Sequence, residues 1–124
     1  MYNRLLDSVI LIDHFNDIAA ATRFIGGLDS EATAISVITR AEILVGFDEE
    51  SAKAAKSLLD QYQLLIIDKD VADRAAELRH THGWKLPDAF QAALAIHHQT
   101  KLSTRNTKDF DPQKHTFVEI PYVL

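Results

Sequence analysis

Leu5-Leu6-Asp7-Ser8-Val9-Ile10-Leu11-Ile12-Asp13 opens the hydrophobic pattern of the chain and decides its fold class. A short apolar run without polar alternation is what a parallel strand covered on both faces looks like. We therefore expect a strand over residues 4–12 with Asp7 inside it. An ionised carboxylate is costly in such a place unless its end of the strand opens onto a polar site, so Asp7 is where function is to be sought first.

Outward from this segment, the pattern alternates. It predicts helices over 17–26, 37–47, 49–61, 69–82 and 87–99, and strands over 33–36, 63–67, 101–104 and 116–120. Strands separated by helices pair in parallel through right-handed crossovers, giving a doubly wound α/β domain. Several residues punctuate it: Gly26-Gly27 ends the first helix, Ser36 and Asp68 are suited to cap the helices that follow them, and Gly83 closes the helix from Lys69. Pro87 suits the first position of the next helix, with Asp88 in its first turn near the positive end of the dipole. With 124 residues and no repeat, low-complexity tract or linker, one domain over 1–124 is expected.

The absence of cysteine removes disulfides and thiolate metal sites and fits a reducing compartment. No apolar stretch is long enough to span a bilayer, and the expectation is a cytoplasmic protein with no membrane partner. The net charge of −5 argues against broad adhesion to nucleic acid through a basic face. It leaves room for a nucleic-acid substrate held locally.

Three further acids join Asp7. Glu42 shares a predicted helix face with Ile38, Val45 and Gly46, and its surroundings read as apolar; it is either paired with Arg40 or Arg105 or part of a site. Asp88 heads the apolar helix Ala89-Phe90-Gln91-Ala92-Ala93-Leu94-Ala95-Ile96, and ligands of open α/β sheets bind beyond the carboxyl ends of strands, near helix N-termini. In Thr104-Arg105-Asn106-Thr107-Lys108-Asp109, a polar turn after a late strand offers hydroxyls, an amide, two cations and a fourth carboxylate. Clustered carboxylates repel one another and call for a divalent cation. The six histidines lack metal-ligand spacing, so zinc is not expected. Asp13 reads as a turn or cap residue and Trp84 as an anchor for the loop before Pro87.

Taken in order, LLDSVILID, ISVITRAEILVG, LPDAFQAALAI and LSTRNTKDF resemble the PIN-domain ribonucleases, and among them the VapC-like toxins of toxin-antitoxin pairs. The resemblance spans nearly the whole chain. It implies a three-layer α/β/α sandwich with a mainly parallel sheet, in which Asp7, Glu42, Asp88 and Asp109 converge on Mg²⁺ or Mn²⁺, with Asp7 and Asp88 as ligands. Thr104, Arg105, Asn106 and Lys108 would face the substrate, with Arg105 and Lys108 against phosphates. Two departures stand out: Val9 replaces a polar residue common in the family, and Asn106 or Asp109 can fill the fourth acidic place. The implied activity is metal-dependent hydrolysis of single-stranded or looped RNA, with a homodimer and a cognate antitoxin as partners. Rival readings are a PIN-like nuclease that is no toxin, a phosphoacceptor receiver domain and a non-catalytic interaction module. A receiver would need an acid pair after the first strand and a lone Asp after the third.

Overall fold

The computed structural model describes residues 1–124. Its five strands are β1 (Arg4–Leu6), β2 (Thr33–Ser36), β3 (Gln63–Leu65), β4 (Lys101–Ser103) and β5 (Val118–Glu119), in the order β3-β2-β1-β4-β5. Every pair is parallel. The helices are α1 (Ser8–Phe15), α2 (Ala19–Gly26), α3 (Val37–Val45), α4 (Ala52–Leu59), α5 (Lys69–His82) and α6 (Leu86–His97), with a 3₁₀ turn at Ser30–Ala32. None is long and apolar enough to cross a membrane.

Alternation along each strand divides the core between two faces. Leu5, Ala34 and Leu102 pack with Val71, Ala75, Ala89, Ala92 and Ala93 of α5 and α6. Leu6 and Ile35 face the other way, onto Leu11, Ile43 and Leu59 of α1, α3 and α4. The result is an α/β/α sandwich with a wholly parallel sheet. On the inner side of α6, residues 89, 92, 93 and 95 are all fully buried alanines, small enough to bring the helix axis close to the sheet.

The apolar run at the start divides differently from the sequence reading. β1 ends at Leu6, Asp7 is the N-cap of α1, and Val9 to Ile12 lie in the helix. Periodicity cannot tell a buried strand from a buried helix in so short an apolar run, and the capping carboxylate settles the junction. Other elements are shorter than expected: α2 begins at Ala19 after Asp17, which takes a left-handed φ of 61°, α4 begins at Ala52 and β3 ends at Leu65. Leu86 precedes Pro87 as the first residue of α6. The caps at Ser36 and Asp68 accept N–H bonds from Thr39 (3.0 Å) and Val71 (3.0 Å), and Gly83 ends α5 with a left-handed φ of 72°.

Strand order reverses direction between β1 and β4. This switch point leaves a crevice beyond their carboxyl ends, and the residues that follow them are Asp7 and Thr104.

Candidate functional site

Asp7 is only 5 % exposed, yet both its oxygens are engaged. Oδ1 accepts from the Ser8 N–H (2.9 Å) and Gln91 Nε2 (3.2 Å), and Oδ2 from the Thr104 hydroxyl (2.7 Å). These donors fix its orientation. Thr104 is fully buried, so its hydroxyl orients Asp7 and does not reach solvent, contrary to the expected substrate contact.

Glu42 departs from its sequence reading in burial. It lies on an exposed part of α3, beside Val45 at 87 % exposure, because only one side of this helix packs inward. Neither Arg40 nor Arg105 pairs with it: Arg40 bridges Asp60 (2.8 Å) and Arg105 bridges Asp13. Glu42 accepts instead from the Ser8 hydroxyl, at 3.1 Å, which places it next to Asp7.

Asp88 lies in the first turn of α6, partly buried. Burial pushes its carboxyl up to about 6, and the charges of Asp7, Asp109 and Glu42 add to the rise while Lys85 opposes it. The other three acids, from three further segments, thus all act on Asp88. In the loop after β4, Asn106 Nδ2 donates to Asp109 Oδ2 (3.0 Å), and the Trp84 indole N–H holds the Asp109 carbonyl (3.1 Å). Trp84 is buried against Phe110, so it anchors this loop. Asn106 and Asp109 therefore occupy the same wall together.

Arg105 has a role other than the phosphate contact expected of it. Its guanidinium forks onto both oxygens of Asp13 (2.8 Å each), and the Tyr122 hydroxyl donates to Asp13 Oδ2 (2.8 Å). Asp13 lies within α1, 5 % exposed, where the Arg105 bond holds its carboxyl below the usual carboxylate range against the effect of burial. Burial, and then its bond to Asp13, raise the Tyr122 hydroxyl above its ordinary value. Lys108 is exposed on the loop. The residues not foreseen as a group are Ser8, Thr39 and Gln91, together with the Asp13–Tyr122 partnership.

Every donor the four acids offer is a carboxylate oxygen. This suits a hard cation such as Mg²⁺ or Mn²⁺, and the mutual repulsion felt at Asp88 is what such an ion relieves. No three His, Cys, Asp or Glu side chains converge tightly enough to enclose an ion. Mg²⁺ commonly keeps several waters and needs only a few protein ligands, so the donor set fits it.

A pH dependence follows for the metal-free protein. The raised value at Asp88 means that the fold binds this proton more tightly than the unfolded chain does, so stability falls as pH rises from about 4 to about 6 and stays lowered above that. Asp88→Asn removes the effect. After chelation, the variant should match the parent at pH 4 and exceed it at pH 7.5 by about 1–2 kcal/mol, allowing for solvent screening at a half-buried site. Millimolar Mn²⁺ should then stabilise the parent more than the variant. Melting curves that keep the same separation at both pH values would mean that Asp88 feels no acidic neighbours.

An acidic, oxygen-only site at the switch point of a wholly parallel α/β sheet defines the class of this domain. The PIN domain family model matches residues 4–112, and the chain belongs to the PIN-domain family. Among solved structures it is similar to a toxin-antitoxin complex from Klebsiella pneumoniae, with 34% identity and a TM-score of 0.89 over 98% of this chain and 99% of that one. It also shares the fold of FitAcB from Neisseria gonorrhoeae, at 24% identity and TM-score 0.78 over 95% and 97% of the two chains. DNA-bound VapBC from Salmonella typhimurium aligns at 16% identity and TM-score 0.82 over 98% and 100%. No curated protein matches the sequence.

Proposed function

We propose that this chain is a divalent-metal-dependent endoribonuclease and the toxin of a toxin-antitoxin pair. The observation that supports the reading is an acidic crevice at the switch point, where Asp7 is held by three donors, Glu42 is bonded to the adjacent Ser8, and Asp88 feels the charges of Asp7, Asp109 and Glu42 while Arg40 and Arg105 are bound to other acids. A site built this way is short of positive charge. When bound, Mg²⁺ or Mn²⁺ supplies the charge that stabilises the phosphoryl and leaving oxygens of an in-line displacement.

The chain's own residues have separable tasks in this reading. Asp7, held by three donors, is the fixed ligand, and Asp88 faces it from the start of α6. Glu42, exposed at the rim and steadied by Ser8, is placed to accept a proton from an attacking water. Asn106 steers Asp109. Lys108, and Lys85 at the N-cap of α6, are exposed cations beside the acids and suit backbone phosphates. An open site reads a splayed single strand or loop more readily than a closed duplex. A receiver-type reaction has little support, since Ser8 follows Asp7 where a second acid is required and Asp68 is spent capping α5.

Likeness to a toxin-antitoxin complex over nearly the full length of both chains supports a cognate antitoxin as partner, and a cytoplasmic homodimer is the form in which we expect it to act. The biochemical test is cleavage of a cellular RNA pool with Mg²⁺, mapped by end sequencing. Metal-dependent ends absent from a chelated reaction are expected, and an RNA pool left intact with either metal would refute the assignment. In cells, expression of the chain alone should arrest growth, and co-expression of the small protein encoded beside it should restore growth. An active nuclease whose expression leaves growth unaffected would be a PIN nuclease without a toxin role.

A further inference from the structure

Gln91 is 1 % exposed on the inner side of α6, among the buried residues Ala92, Ala93 and Leu94. A polar side chain is out of place there. Its Nε2 donates to Asp7 Oδ1 (3.2 Å) and to Thr39 Oγ1 (2.7 Å), while its own Oε1 is buried without a partner. The fold therefore carries an unpaired buried acceptor to keep these two bonds, which an apolar residue of the same size would avoid.

The two bonds join the elements that bear the acids. Gln91 stands three residues after Asp88 on α6, so the two lie about one turn apart on the same side of the helix. Thr39 stands three residues before Glu42 on α3 and is tied to the end of β2 by its N–H bond to Ser36 Oγ (3.0 Å). The third element, the β1–α1 junction, is held through Asp7 itself. One carboxamide thus connects the supports of Asp7, Glu42 and Asp88.

We propose that Gln91 is a positioning residue that sets the mutual placement of these three acids and thereby the affinity of the site for divalent metal. The inference rests on the metal-dependent reading above. Without Gln91, Asp7 keeps the Ser8 N–H and the Thr104 hydroxyl but loses its link to α3 and α6. Residues that orient metal ligands typically account for about 10–100-fold in affinity.

The test uses the full chain, stripped of metal, with Mn²⁺ as the probe and calorimetric titration as the readout. Gln91→Met, nearly equal in volume, should bind Mn²⁺ at least about tenfold more weakly while melting, metal-free, at or above the parent's temperature. Thr39→Val cuts the same link from its other end and should also weaken Mn²⁺ binding. The two losses should not multiply in the double variant, because each breaks one connection. Thr39→Val also serves alone should Gln91→Met fail to fold. Mn²⁺ affinity within twofold of the parent in both variants, with Asp7→Asn having lost it, would overturn the role of Gln91. An affinity loss that merely tracks a fall in metal-free melting temperature would do the same, since that is a packing effect. If the parent itself shows no saturable Mn²⁺ binding, the metal-dependent reading fails first.

Discussion

Asp7→Asn is expected to lower metal-dependent RNA cleavage by at least about a hundredfold, since even the partners of metal ligands cost about 10–100-fold and here the ligand itself is altered. The fold should survive. Oδ1 faces two donors and must stay an oxygen, so the new amide nitrogen takes the place of Oδ2, opposite a Thr104 hydroxyl that can turn and accept. A melting temperature within a few degrees of the parent, beside the lost cleavage, is the expected pair of results. Cleavage comparable to the parent in the same RNA pool assay would remove Asp7 from the site and with it the proposed function. Glu42→Gln should also reduce cleavage, with less effect on metal binding, because Glu42 stands at the rim as a proton acceptor.

The largest stability loss is expected from Arg105→Ala. It leaves Asp13 buried within α1 with the Tyr122 hydroxyl as its remaining partner. Removing one member of a fully buried pair costs about 3–5 kcal/mol, and because the Arg105 side chain is 34% exposed solvent screening reduces this to about 2–3 kcal/mol. The melting temperature should fall by roughly 10 °C. Asp13→Asn together with Arg105→Ala should be milder, as no buried charge is then stranded. The sign of the pH effect is fixed by the lowered value at Asp13: its contribution is present above about pH 4 and is lost as pH falls through the folded value. Parent and Arg105→Ala should therefore converge in acid. Unfolding curves at pH 7 and pH 3 check this. A variant with parental stability and weakened RNA binding would return Arg105 to the phosphate contact read from the sequence.

Much of the scaffold was legible because its helices are punctuated. β2 at 33–36 and α5 at 69–82 lie where the pattern puts them, bounded by Ser36, Asp68 and Gly83, whose bonds are local. The junction at Asp7 is hidden in the sequence because β1 has three residues, so its apolar run continues directly into a buried helix with no change in composition. The sequence neighbours of Glu42 are apolar, whereas α3 buries only Thr39 and Ile43. The fork of Arg105 onto Asp13 joins residues 92 apart, and nothing near either one announces it. Gln91 did leave a trace, as the polar residue in an otherwise apolar stretch, but its partners 84 and 52 positions away did not.

The clamp of Asp13 by Arg105 and Tyr122 also orders events in time. Asp13 leaves the ribosome before its partners, which follow 92 and 109 residues later. At about 5–20 residues per second, that is a delay of several seconds or more, during which Asp13 has neither of the partners that permit its burial. The bonds from Thr104 and Gln91 to Asp7 span 97 and 84 residues. The nascent chain is consequently without its assembled acidic centre until residues 91, 104 and 109 have emerged, and a ribosome-bound fragment that stops short of Asp109 lacks its fourth acid.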